Sequence, residues 1–253
     1  MRGIKRIAHD EAAPLVDHLT ELRSRVIASI AAFGTALALC FWQNHLLLEI
    51  LRGPLHGKRL ITLGVAEPFT TTLTVAAYAA VVLALPILLY QLYAFMIPAL
   101  APGQQRAARV LALLVPVLFL AGAAFAFFVV VPAALHFLLH FNQDQFNLQL
   151  RAKDYYSFVT LTTLSVGAVF QVPIAILALT RLGVLTPEKL RGARRYAYVA
   201  CAVVAAALPG VDPVSMLLET VPLIALYELS IGLASAFGSP RPSLTLPEQG
   251  AHS

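Results

Sequence analysis

The chain contains 253 residues, of which 59% are hydrophobic and 12% are charged. Because a soluble domain carries about 25% charged residues, this composition excludes a water-soluble globular protein. The formal net charge is +5, but the basic residues lie beside the apolar runs, so the charge indicates membrane orientation and no nucleic-acid partner.

Six apolar runs follow one another, most of them near the roughly 20 residues that cross the hydrocarbon core of a bilayer. Within lipid such runs must be helices, because a helix pairs its own backbone polar groups. The fifth run would reach only about 20 Å, so protein or a thinned bilayer must shield it. The sequence thus predicts an all-α polytopic membrane protein whose single membrane domain covers residues 1–237. The predicted spans are residues 26–48, 69–97, 107–131, 155–179, 196–208 and 214–237.

Lysine and arginine are divided unevenly between the two sides of the predicted bundle. Counting Arg109, at the start of the third predicted span, the side that holds both chain ends contains 13 of these residues, and the other side contains 5. The positive-inside rule therefore predicts that both termini are cytoplasmic. Residues 238–253 are rich in proline and serine, and they are predicted to form a disordered cytoplasmic tail.

The two longer outer connections carry turn and helix signals. Residues 49–68 include Pro54 and three glycines, which indicate a compact, turn-rich connection. Residues 132–154 begin with an amphipathic stretch in which His136 and His140 stand four apart. Both could face a metal, but no third ligand lies nearby, so an interfacial helix is favoured and no metal or cofactor is predicted.

Four stretches resemble the TatC subunit of the twin-arginine protein translocase, between about residue 15 and residue 236. Residues 18–25 (HLTELRSR) are similar to the family's HLxELRxR signature, and residues 90–100 (YQLYAFMIPAL) are similar to YQxxxFxxPgL. The other matches are Glu67-Pro68-Phe69 and a set made of residues 170–173, Asp212-Pro213 and residues 222–228. Their order, spacing and topology agree with the family.

The resemblance implies a non-enzymatic receptor and core subunit in the bacterial plasma membrane. It would bind the paired-arginine signal peptides of folded export precursors at the cytoplasmic face. The implied partners are single-span TatA-type and TatB-type subunits, other copies of the chain, and membrane lipid. Coupling to the proton motive force follows from the resemblance alone.

The implied recognition site lies at the cytoplasmic face and centres on Glu21. A carboxylate accepts charge-assisted, often bidentate hydrogen bonds from a guanidinium group, and Arg23 would position Glu21 for this role. The alternative is structural, with Asp17 or Thr20 beginning a helix and Glu21 favouring its positive end. The full set implied by the resemblance is Glu21, Leu22, Arg23, Phe95, Pro98, Leu100 and Gln104.

The chain departs from the family pattern at Gln104 and Gln171, where the family usually has glutamates. An amide still accepts a hydrogen bond, but it loses the ionic part, which is worth up to about 1 kcal/mol for a partly exposed pair. We expect Glu219 to face the fourth span and partly replace the acid missing at Gln171. The intramembrane polar and partner-docking set is Gln171, Glu219, Tyr227 and Glu228.

Prolines and turn residues complete the implied architecture. A proline inside a helix removes a hydrogen bond and favours a kink, and the resemblance implies that such kinks form a concave, cupped bundle. Asp212 is predicted to cap the sixth span, with Pro213 at its first position. The prolines within spans include Pro86, Pro116, Pro173 and Pro222, and the structural-turn set is Pro54, Glu67, Pro68, Asp212 and Pro213.

Two other function classes stay open at the level of sequence. A proton-coupled small-solute transporter is the main alternative, because buried polar residues such as Gln171, Glu219 and Glu228 could form a path. An intramembrane enzyme is less favoured, since the chain has no HExxH, GxSxG or paired-aspartate motif.

Overall fold

A computed structural model describes residues 12–55, 59–96, 102–142, 144–145, 149–181, 183–210 and 212–237. The predicted tail, residues 238–253, lies outside these ranges. The helices are α1 (Ala12–Trp42), α2 (Asn44–Arg52), α3 (Glu67–Met96), α4 (Pro102–Phe125), α5 (Val131–His140), α6 (Ala152–Val169), α7 (Val172–Arg181), α8 (Pro187–Gly192), α9 (Arg194–Ala207) and α10 (Pro213–Phe237). Two short strands, β1 (Leu60–Ile61) and β2 (Leu150–Arg151), pair in parallel.

Helical segments long and apolar enough to cross a membrane dominate the part of the chain that is described. They are Thr20–Trp42, Glu67–Leu92, Leu113–His140, Ala152–Arg181 and Pro213–Ala236. The predicted class, an all-α polytopic membrane protein, is therefore confirmed. The predicted fifth span corresponds to α9, which has 14 residues and is shorter than the roughly 20 that cross a bilayer unaided.

The first predicted span, residues 26–48, does not form one helix. The chain turns at Gln43, and α2 continues as a separate helix that lies outside the apolar segment of α1. The Asn44 side chain donates to the Phe41 carbonyl at 2.8 Å, which satisfies one of the carbonyls left free where α1 ends. Apolar residues continue through α2, so composition alone did not show this boundary.

The predicted amphipathic helix after residue 132 is present as α5, where it continues a longer helix. A π-helical segment, Ala126–Val130, joins α4 to α5 without a break. Val131 and Leu135 are buried in the core, whereas His136 and His140 lie exposed on the other side. One face of α5 is thus apolar and the other polar, as predicted, and its location at the membrane interface stays a prediction.

Close helix packing relies on small residues. Between α1 and α3 the buried contacts are Cys40, Ala76 and Ala80, which let the two helices approach. A Cβ atom added to Gly122 would lie 2.6 Å from the Phe170 ring, so α4 and the end of α6 are in contact there. Proline stands inside α3, α4 and α10, at Pro86, Pro116 and Pro222.

A small folded unit closes one end of the bundle, and we call it the loop cap. It consists of α2, the 3-10 turn Gly53–Leu55, β1 and β2. Tyr155, in the first turn of α6, donates its hydroxyl to the Leu51 carbonyl at 2.7 Å. Leu51 and Leu55 join Val75 of α3 in a buried apolar cluster. The described part of the connection at residues 49–68 is therefore compact, as its glycines and proline predicted, although residues 56–58 lie outside the described ranges.

Candidate functional site

At the end of the bundle away from the loop cap, the Glu21 carboxylate takes part in a three-residue network. The Arg25 guanidinium donates to Oε1 of Glu21 from Nη2 at 2.6 Å and from Nε at 3.0 Å. Arg25 also donates from Nη1 to the Gln91 side-chain oxygen at 3.0 Å, which ties α1 to α3. Gln91 lies about 36 Å along α3 from Glu67 at 1.5 Å per residue, so the site and the loop cap occupy opposite ends.

The geometry leaves one carboxylate oxygen of Glu21 available. Both contacts from Arg25 end on Oε1, and no contact to Oε2 is found within the described part of the chain. The Glu21 side chain is 33% exposed, and that of Arg25 is 23% exposed. Because an ionised carboxylate has about four acceptor positions, Oε2 can accept a second guanidinium while Arg25 holds the group in place.

The positioning contact comes from Arg25 and not from Arg23. Arg23 and Leu22 are exposed on the surface of α1. Arg25 follows Glu21 by four residues, which is about one helical turn. An acid followed by a base at this spacing forms a stabilising ion pair on a helix. The predicted positioning role of Arg23 was therefore wrong, although the four-residue spacing of Glu21 and Arg25 is visible in the sequence.

The capping alternative for Glu21 is also wrong. Helix α1 begins at Ala12, so Thr20 and Glu21 lie more than two turns inside it. Free backbone N–H groups are confined to the first turn of a helix, and the helix dipole acts mainly there. Glu21 is therefore held by side-chain contacts within a continuous helix.

The second segment of the implied site is only partly described. Phe95 stands four residues after Gln91 on α3, so the two share a face, and it is half buried. Pro98 and Leu100 lie outside the described residues. Gln104 belongs to the first turn of α4, and its side chain lies outside them as well.

Gln171 lies where α6 gives way to α7. Its side-chain nitrogen donates to the Val115 carbonyl of α4 at 3.3 Å. Its oxygen is buried and has no hydrogen-bond partner in the described structure. The helix is interrupted at Phe170 and Gln171, just before Pro173, which cannot donate a backbone hydrogen bond.

The two acids of α10 lie in different environments. Glu219 is 3% exposed, and neither of its oxygens has a partner within the described ranges. Glu228 accepts from Arg194 at 2.7 Å and from the Tyr198 hydroxyl at 2.7 Å, so it joins α10 to α9. No hydrogen bond links Glu219 to Gln171 among the residues that the structure places.

Tyr227 is a buried residue of α10 that contacts α8. Its hydroxyl donates to the Leu190 carbonyl at 2.8 Å. Tyr227 and Glu219 belong to a buried face of α10 whose members recur every four residues: Ser215, Glu219, Leu223 and Tyr227. Tyr227 therefore stabilises the packing of the chain itself.

Four of the five structural-turn residues lie at two helix starts. Glu67, at the start of α3, accepts from the backbone of Leu63 at 2.9 Å and of Gly64 at 3.2 Å. It also accepts from Arg151 of β2 at 2.9 and 3.2 Å, and this contact raises the pKa of the Arg151 guanidinium above its ordinary value. Pro68 follows within the first turn of α3, and Pro54 lies in the 3-10 turn of the loop cap.

Asp212 caps the start of α10. Its Oδ1 accepts from the backbone N–H of Ser215 at 2.8 Å and of Val214 at 3.1 Å. Pro213 is the first residue of the helix, where a missing N–H costs nothing.

The comparisons with known proteins identify the family. A family model described as "Sec-independent protein translocase protein (TatC)" matches residues 17–222. The chain belongs to the TatC family. The resemblance seen in its motifs is thereby confirmed, and family membership favours a protein translocase component over a solute transporter.

Curated relatives of the family match most of this chain. The TatC protein of Aquifex aeolicus is 37% identical over 226 residues, which cover 87% of this chain and 94% of that protein. The TatC protein of Halothiobacillus neapolitanus and the chloroplastic TATC of Pisum sativum are each 36% identical, over 89% and 86% of this chain. The match covers 63% of each of these two relatives, so the chain spans less than two thirds of their length.

Two solved structures share the fold. A crystal structure of the twin-arginine translocase receptor TatC has a TM-score of 0.73 at 36% identity, and the match covers 87% of this chain and 98% of that one. A second, of the receptor in DDM, has a TM-score of 0.75 at 37% identity, over 86% of this chain and 99% of that one. The helix arrangement described above is therefore that of the TatC family.

Proposed function

We propose that this chain is the receptor and core subunit of a twin-arginine translocase, and that its carboxylate at position 21 binds the paired arginines of export signals. The observation that carries this proposal is the Glu21 carboxylate, which is one-third exposed and held through Oε1 by Arg25, while Oε2 has no partner among the described residues. A planar guanidinium matches a carboxylate in a way that a lysine ammonium does not. Paired arginines are therefore preferred over paired lysines.

Site-specific crosslinking from positions 21 and 104 tests the proposed receptor role. Precursors with Arg-Arg signals are expected to crosslink from both positions, and those with Lys-Lys signals only weakly. The matched control is position 49, where Glu49 is an exposed acid on α2 of the loop cap. Equal crosslinking of the two signals at position 21 would contradict the proposal.

The proposed orientation places both termini in the cytoplasm. It is supported by the 13 basic residues on one side against 5 on the other. In this orientation Glu21 meets precursors before export, and the loop cap faces the outside. Protease protection of tags fused at each end of the chain tests this arrangement, and cleavage from the outer side would contradict it.

The proposed partners are single-span subunits that dock on α10 from the lipid side. An apolar groove of about 410 Å³ runs along the outer surface of α10, beside the junction of α4 and the π segment. Leu217 and Val221 are exposed there, as expected for a surface that packs a hydrophobic helix. The groove is lined by Phe125, Val214, Leu217, Leu218, Val221 and Pro222.

Glu219 lies on the opposite, buried face of α10, which packs against α7. We retain the proposal that it partly replaces the acid missing at Gln171, because a buried polar side chain in a membrane marks a functional position. Glu219→Gln is expected to weaken partner crosslinking to Leu217 while leaving signal binding unchanged. Ile30, exposed on α1, is the control position for crosslinking.

A further inference from the structure

A cavity of about 200 Å³ lined by both polar and apolar atoms lies between α3 and α6, next to the loop cap. It occupies the first turns of two membrane-crossing segments, Glu67–Leu92 and Ala152–Arg181. That position corresponds to the depth at which lipid headgroups meet the hydrocarbon. Its polar lining comes from Thr70, Thr71 and Thr74 of α3 and from Lys153, Tyr156 and Ser157 of α6.

One of the hydroxyl groups that line the cavity has no partner. Thr71 is 6% exposed, and its Oγ1 makes no hydrogen bond in the described structure. Its neighbour Thr72, by contrast, donates to the Pro68 carbonyl at 2.8 Å, which is the usual way for a threonine in a membrane helix to be satisfied. A buried hydroxyl is costly when left unpaired, so the cavity is built for a ligand that accepts hydrogen bonds.

The charges around the cavity favour an anion. Lys153 is exposed at its rim and forms no ion pair within the described ranges. Of the neighbouring acids, Glu67 is bound to Arg151. Asp154 is exposed beside Lys153 in the first turn of α6. Among the described residues that line the cavity, Lys153 alone is charged, so the lining itself is positive.

We propose that this cavity binds the phosphate group of an anionic phospholipid. The unpartnered Thr71 hydroxyl and the Lys153 ammonium can donate to the acceptor oxygens of a phosphate, whereas the Thr70 and Tyr156 hydroxyls already donate to backbone carbonyls. Exposed apolar side chains beside the opening, Phe69 and Leu73 on α3, provide a surface for the acyl chains. Because the cavity joins α3 to α6 below the loop cap, a bound headgroup would hold these helices together.

Lipid retention by the full-length chain in detergent tests the proposal. The protein is titrated with phosphatidylglycerol, and the bound lipid is counted by native mass spectrometry. Loss of a charge-assisted hydrogen bond corresponds to about a tenfold weaker affinity, so Lys153→Gln and Thr71→Val are each expected to weaken retention by about that factor. Lys153 is exposed, so its substitution leaves folding intact and keeps the test valid if Thr71→Val unfolds the chain.

Matched controls separate this site from general attraction to lipid. Lys189→Gln removes an exposed lysine of α8, and Thr72→Val removes the neighbouring hydroxyl that already has a partner. Both are expected to retain lipid like the parent chain. A parallel titration with inorganic phosphate distinguishes a lipid headgroup from free phosphate as the ligand. If phosphate stabilises the parent chain thermally and Lys153→Gln abolishes this effect, while lipid retention is the same in both, the cavity binds free phosphate. That result would overturn the lipid proposal. Equal retention by all four variants, with no effect of phosphate, would overturn the site itself.

Discussion

The motif around Glu21 identified this residue, but it did not show which side chains hold the Glu21 carboxylate. The sequence placed an acid just before the first span, and the family pattern gave it a role. The bond from Arg25 could have been read from the four-residue spacing. The bond from Arg25 to Gln91 joins residues 66 positions apart, and no local pattern predicts such a contact.

A gain of affinity is expected when the missing acid is restored at position 104. Gln104→Glu would add an ionic contribution of up to about 1 kcal/mol, which corresponds to about a fivefold lower Kd for a twin-arginine peptide. Fluorescence anisotropy with a labelled signal peptide measures this change. Gln105→Glu, at the next position, is the matched control for added negative charge. If both substitutions change the affinity equally, position 104 has no specific contact with the signal.

Among the elements, α3 and α10 nearly coincide with the predicted second and sixth spans, because each is one long apolar run. The predicted fourth span, residues 155–179, divides instead into α6 and α7 at Phe170 and Gln171. Two other boundaries were wrong for identifiable reasons. Asn44 ends α1 through a side-chain bond that composition does not reveal, and the π segment Ala126–Val130 changes the helical period. Periodicity predicts which face of a helix is buried only while the period stays constant.

The contact between α4 and the end of α6 depends on Gly122. A methyl group there would lie 2.6 Å from Phe170, closer than packed atoms allow. Gly122→Ala is expected to reduce the free energy of unfolding by about 1 to 3 kcal/mol, as overpacking does. Gly34→Ala is the matched control, because no atom lies within 4 Å of its added methyl and alanine favours a helix. Denaturation in detergent, followed by circular dichroism, measures both, and equal stabilities would contradict the packing described.

The loop cap depends on the ion pair between Glu67 and Arg151. Arg151→Met would leave the Glu67 carboxylate, whose side chain is 5% exposed, without its charged partner. Glu67→Gln would instead leave a neutral amide at the same place. We expect Arg151→Met to lower the Tm more than Glu67→Gln, because a buried carboxylate without a partner is more costly than the loss of an ion pair that leaves no buried charge.

Thermal unfolding in detergent measures these shifts. Arg59→Met, at an exposed arginine just before β1, is the control for loss of charge near the loop cap. A larger shift for Arg59→Met than for Arg151→Met would show that the ion pair contributes little to the cap.

For the whole molecule, the sequence predicted the class, the family and the approximate spans, since these depend on composition and on short motifs. It did not predict the loop cap, in which β1 meets β2 across about 90 residues of chain. Nor did it predict that Glu228 would join α10 to α9 through Arg194 and Tyr198. Such contacts arise from tertiary packing, which a single sequence encodes without local signals.

Receptor function in this chain requires that Glu21 distinguish arginine from lysine. The most direct measurement is the ratio of Kd values for Lys-Lys and Arg-Arg signal peptides, determined for the parent chain and for Glu21→Gln. We predict that the parent binds the Arg-Arg peptide about tenfold more tightly or better, as expected for charge-assisted hydrogen bonds, and that the ratio falls toward one in Glu21→Gln. The same ratio in both proteins would contradict recognition by Glu21.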